Sequence, residues 1–153
     1  KISLTGQNSF GSTPYGNTTT VCAKIKTSAD GRIIGGDSAE PPKVDDVIVL
    51  AELESGMRLD DAQIIITVGM TTGITGDLGF AYADGRNHTE VPQDAAYFGA
   101  GFDLTAAKRL RAEGRKNVVL PKPAQLVLTI KGAANAKASE ITVLASGELT
   151  GSL

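Results

Sequence analysis

The sequence has no tryptophan, one histidine and one cysteine, and aromatic residues make up only 5% of its 153 positions. Each shortage removes a class of chemistry. The single Cys22 can form no intramolecular disulfide and cannot supply the thiolates of a structural zinc site, so packing or association must hold the fold. The single His88 leaves no second imidazole for a metal site and one candidate for a histidine-dependent triad. Scarce aromatics leave few flat rings on which single-stranded nucleic acid or sugars could stack. No apolar run approaches the ~20 residues of a membrane-spanning helix. A formal net charge of −2 does not suit a chain that neutralises a phosphate backbone. Residues 1–7 carry neither the apolar stretch of a secretory signal nor a methionine, so the sequons at Asn17 and Asn87 read as chance. The expectation is a chain without cofactor, nucleic acid or membrane partner.

Glycine, by contrast, is plentiful at 18 residues and scattered rather than periodic, as many tight turns between short strands require. Residues 1–18 are rich in Ser, Thr, Gly and Asn with isolated Ile2, Leu4, Phe10 and Tyr15, and read as an extended arm that orders along another subunit. Residues 19–153 read as one domain. Thr20–Lys26 alternates, with Val21, Ala23 and Ile25 on one face and Cys22, Lys24 and Lys26 on the other. Val47–Leu53, Ala62–Val68, Gly76–Tyr82, Gln125–Ile130 and Glu140–Ala145 are further strands, with turns at Asp30-Gly31, Ser55-Gly56 and Asp84-Gly85. Gly99-Ala100-Gly101 reads as a bend after Tyr97-Phe98. Asp103–Glu113 has the one helical pattern, with Asp103 as its cap and Gly114 as its stop. The predicted fold is all-β: an antiparallel sandwich or jelly roll with an extended N-terminal arm and at most one short helix.

No catalytic constellation stands out. His88 falls in a loop and reads as a surface residue rather than a general base, and Cys22 as a small half-buried strand residue rather than a nucleophile. Between residues 28 and 61, nine carboxylates (Asp30, Asp37, Glu40, Asp45, Asp46, Glu52, Glu54, Asp60, Asp61) face three cations. A glycosidase would set two of them across a groove, but without aromatic platforms solvated acidic surface is the expected reading. Between 103 and 131 the balance reverses. Lys108, Arg109, Arg111, Arg115, Lys116, Lys122 and Lys131 face two carboxylates, which suits either a solvated face or docking against an acidic partner.

From Val49-Leu50-Ala51-Glu52-Leu53-Glu54-Ser55-Gly56 through Asp61–Ile66, Gly76–Asp84, Phe102–Ala107, Ala124–Ile130 and Ser139–Ala145, the order of strands and turns resembles the small jelly-roll decoration, or cement, proteins of tailed phages. The resemblance spans roughly residues 46–150 and rests on strands and turns rather than a chemical motif. It implies a non-enzymatic virion protein, made in the host cytoplasm. Such a protein would sit on the outer capsid surface as a homodimer or homotrimer and clamp neighbouring copies of the major capsid protein. The long N-terminal region and the basic stretch depart from the simplest members. Their residues Ile2, Leu4, Phe10, Tyr15, Lys108, Arg109, Arg111, Arg115 and Lys116 are the candidate capsid or subunit contacts. The alternative is a jelly-roll module of a head fibre or tail that recognises a host surface or carbohydrate.

Overall fold

A computed structural model describes residues 17–151. The arm candidates Ile2, Leu4, Phe10 and Tyr15 lie outside the described residues. Within them the strands are β1 (Thr18–Lys26), β2 (Val47–Leu53), β3 (Met57–Val68), β4 (Thr75–Tyr82), β5 (Asp94–Asp103), β6 (Lys108–Arg111), β7 (Val118–Val119), β8 (Ala124–Lys131) and β9 (Glu140–Leu149), with no helix. They form two antiparallel sheets, one ordered β1-β9-β3-β6 with β7 also on β3, the other β2-β8-β4-β5. The pairing nests inward from the chain ends, β1 with β9, β2 with β8, β3 with β6 and β4 with β5. That nesting defines a jelly roll.

Alternation builds the core. Ala23 and Ile25 of β1, Leu78, Phe80 and Tyr82 of β4, and Ile141, Val143 and Ala145 of β9 are all buried, while Cys22, Lys24 and Lys26 face out. On β3 the period breaks once: Met57 and Leu59 are buried, then Ala62, Ile64 and Ile66, because the register against β9 shifts between Leu59 and Asp61. The bulge carries the extra residue, so Ile65 points away from the core between Ile64 and Ile66. Each fully buried aliphatic side chain contributes about 1.5–3 kcal/mol, and the core draws on both sheets.

The helix expected over 103–113 does not form. Residues 103–107 turn, with the Asp103 carboxylate accepting from the Thr105 amide (3.0 Å) and hydroxyl (2.6 Å), and β6 then pairs with β3 from Ile66↔Lys108 to Gln63↔Arg111. Lys108, Leu110 and Ala112 are half-buried while Arg109, Arg111 and Glu113 are exposed, which is a period of two. The unpaired edge of β3 offered a ladder worth more than the small helical preference of Ala, Lys and Arg. The Gly99–Gly101 bend lies inside β5 as a bulge: Gly99 and Gly101 take positive φ (146° and 68°), and the Gly101 amide donates to Asp77 at 2.8 Å.

One pole is tied by a buried amide. Asn135, 1% exposed, donates from Nδ2 to Thr27 Oγ1 (3.2 Å), Gly31 O (3.2 Å) and Lys137 O (2.9 Å), and its Oδ1 accepts from the Thr71 amide and hydroxyl, both at 3.2 Å. Three connections, after β1, β3 and β8, thereby meet on one side chain. Gly31 can be nothing larger there: its φ is +88° and a Cβ would lie 2.4 Å from the Asn135 carbonyl oxygen.

Candidate interaction surfaces

The outward face of the β1-β9-β3-β6 sheet brings together residues far apart in sequence. Register places Cys22 beside Leu144, Leu144 beside Gln63 and Gln63 beside Arg111. The adjoining row is Lys24, Thr142, Ile65 and Arg109. Half-buried Leu144 and Ile65 thus form a small apolar centre between lysines on one edge and arginines on the other. Cys22 is exposed on this face rather than half-buried, because it sits on an edge strand whose inner positions are Ala23 and Ile25.

Ion pairs lay the long side chains across this face. Lys24 holds Glu140 at 2.5 Å, Arg58 bridges Asp60 (2.6 Å) and Glu148 (2.9 Å), and Arg111 holds Asp61 at 2.6 Å. Arg109 donates to Gln63 at 3.1 Å. The Lys24 ammonium holds the Glu140 carboxyl below its usual range, and Arg58 does the same for Asp60.

The basic candidates occupy three places. Arg109 and Arg111 lie on the sheet face; Lys108 turns to Asp103, whose carboxyl it holds well below the ordinary range. Arg115 and Lys116 ride the 112–117 loop, where Arg115 reaches Asp94 at 3.6 Å and the Lys116 carbonyl accepts from Tyr97 Oη at 2.8 Å. Lys116 has no ion-pair partner among the described residues. The acidic and basic halves pair within the chain: Asp45 with Lys131 and Asp61 with Arg111, while Asn117 donates to Asp60. Local pairs take up Asp30, with Arg32 and Ser28 drawing its carboxyl down to about 2, and Glu40, with Lys43. Among the described residues, no cluster of three His, Cys, Asp or Glu side chains could hold a metal ion.

His88 is half-buried in its loop, its Nδ1 accepting from the amides of Glu90 (3.3 Å) and Val91 (3.4 Å) with its ring edge-on to Tyr82. Those contacts tie Nδ1 into the residue's own loop. Phe80, Tyr82, Tyr97 and Phe98 are buried and pack edge to face at 5.0–5.7 Å, and Phe102 is half-buried against the core. No ring among the described residues stands exposed for a sugar. Among the described residues, a cavity of about 400 Å³ opens at the surface beside β2, and another of about 330 Å³ is lined by both signs of charge, including Asp60, Asp61, Arg111 and Arg115.

The sheet face and the β2 cavity escape sequence reading, because both depend on which strands become neighbours. The signal for the face was present in part, in the outward set Cys22, Lys24 and Lys26.

No protein-family model and no curated protein matches the chain. Solved structures do. The chain is similar to one in the capsid asymmetric unit of cyanophage Pam1 (TM-score 0.61, 10% identity, 88% of this chain and 86% of that one). It is also similar to one in the capsid of Ralstonia phage GP4 (0.58, 15%, 88% and 86%). A third is in the acidic stable capsid structure of Helicobacter pylori bacteriophage KHP30 (0.52, 14%, 88% and 94%). At these identities the fold is what is shared.

Proposed function

We propose that this protein is a structural component of a phage virion that binds the outer surface of the capsid and clamps neighbouring major capsid subunits. The observation that carries this reading is the recurrence of its jelly roll, over 88% of the chain, in three phage capsids. The surface chemistry supports it: an outward sheet face with paired charges and a small apolar centre suits contact with protein. No catalytic group is needed. A lattice multiplies weak contacts, so one copy needs only modest affinity while many copies stabilise the shell together.

In this reading residues 1–18 are an arm and 19–153 the globular body, and the protein acts as a homodimer or homotrimer. The arm residues Ile2, Leu4, Phe10 and Tyr15 and the basic residues Lys108, Arg109, Arg111, Arg115 and Lys116 supply contacts to the shell or between copies. Arg109 and Arg111 are the strongest of these, because they share a face with Leu144 and Ile65.

Co-sedimentation with empty heads lacking the protein tests the reading. Binding that saturates at a fixed ratio to the major capsid subunit is expected. Absence of binding at every salt concentration would overturn it.

A further inference from the structure

β2 and β6 are edge strands on opposite flanks of the sandwich. β2 lies beside β1, which it contacts; the chain leaving β6 meets β5, where the Glu113 amide donates to the Phe98 carbonyl at 2.8 Å. Among the described residues each of the two strands has a neighbour on one side only, so each leaves backbone groups open to a further strand. Val44 and Val47, at the start of β2, are 47% and 55% exposed. Ile33, Pro42 and Val49 continue this apolar surface along the cavity of about 400 Å³. On the other flank, exposed Ala106 and Ala107 lead into β6.

The charges left over on the two flanks have opposite sign. On the β2 flank, Lys43 and Lys131 are held by Glu40 and Asp45. Asp46 and Glu54, which bracket β2, are exposed and have no ion-pair partner among the described residues; the Asp46 carboxylate accepts from the Lys43 amide at 2.7 Å. On the β6 flank the carboxylates are the engaged groups, Asp103 with Lys108 and both Asp94 and Glu113 with Arg115. Arg109 donates to the neutral Gln63, and neither it nor Lys116 has an ion-pair partner among the described residues.

This distribution opposes pairing of either edge with itself. Antiparallel pairing of β2 with the β2 of a second copy brings Asp46 of one beside Glu54 of the other, and pairing of β6 with β6 crowds Arg109 and Arg111 against their counterparts. β2 against β6 instead sets carboxylates beside cations. We infer that copies of this chain associate head to tail, the β2 flank of one on the β6 flank of the next. A contact between two different surfaces repeats until a ring closes, so the assembly is a ring rather than a two-fold dimer. The inference narrows the homo-oligomer of the capsid reading and rests on that part of it alone.

Sedimentation equilibrium of the full-length protein, with no shell present, tests it. Asp46→Lys/Glu54→Lys reverses one flank and Arg109→Glu/Lys116→Glu the other, all at exposed positions, and circular dichroism checks that each variant is folded. The parent's mass is expected to level off at a fixed multiple of more than two copies. Each reversal alone should weaken association at least about 100-fold, as like charges brought together require, and the variant carrying all four substitutions should assemble again. A parent that stays monomeric or stops at two copies would overturn the inference. So would assembly retained by either single-flank variant, or a four-substitution protein that is folded and monomeric. Co-sedimentation with empty heads reads shell binding separately, so loss of self-association leaves the capsid reading standing.

Discussion

Replacing Asn135 by alanine tests the account of the fold at its most connected point. The substitution removes three donated and two accepted hydrogen bonds. Some partners keep other contacts. Thr27 Oγ1 still bonds Lys137 O and Ser139 Oγ, both at 2.8 Å, and Thr71 Oγ1 still accepts from the Ala136 amide at 2.8 Å. The Gly31 carbonyl and the Thr71 amide lose their bond to Asn135. At about 1–3 kcal/mol for each buried group left unpaired, discounted because half-buried Thr71 can find water, the expected loss is about 3 kcal/mol. For a chain of this length that lowers the melting temperature by about 6–12 °C. Asn135→Asp should cost more, since it sets a carboxylate against the Gly31 and Lys137 carbonyls. Asn117→Ala, which removes one exposed hydrogen bond to Asp60, should stay within about 0.5 kcal/mol. Urea unfolding followed by circular dichroism measures all three. An Asn135→Ala protein as stable as the parent would refute the claim that this side chain ties the pole.

Other consequences follow from the same geometry. Gly79→Ala would place a Cβ 2.1 Å from the Asp94 carbonyl oxygen, so β5 must shift, and a loss of about 1–3 kcal/mol is expected in the same unfolding assay. Glu140, Asp60 and Asp30 have carboxyls held below their ordinary range by Lys24, Arg58 and Arg32, so the unfolded chain binds more protons than the folded one in acid. Their contribution is complete above about pH 5 and is lost as pH falls toward the folded values, reaching about 2 for Asp30; melting curves should decline across that window and stay flat from about pH 5 to neutral pH. Cys22 is exposed, so a maleimide should label it fully in the native protein without denaturant. If the sheet face meets the shell, bound heads should protect Cys22 from the label, and Arg109→Glu/Arg111→Glu should weaken binding by at least about tenfold, the loss of one desolvated contact.

The sequence made the jelly roll legible where one face of a strand is buried. Val21 to Ile25 and Leu78 to Tyr82 alternate cleanly, and the structure pairs both as central or edge strands of a sandwich. It failed where local preference and tertiary pairing disagree. Thr105–Ala112 holds residues that favour a helix and only one large apolar side chain, Leu110, so nothing in its composition announces that β3 needs a partner there. β5 was hidden by its glycines, which mark a bulge rather than an end, and β7 is two residues long. The interaction face was out of reach for a different reason. Cys22, Leu144, Gln63 and Arg111 become neighbours through non-local pairing, and no single segment holds two of them.

The central claim is that the protein stabilises an assembled shell by binding across its subunits. The direct measurement is the melting temperature of empty heads lacking the protein, followed by calorimetry as purified protein is added. Because a ligand of the assembled lattice stabilises it by mass action, the shell transition should rise with added protein and level off at saturation. A shell transition that does not move while the heads are saturated with bound protein would contradict clamping.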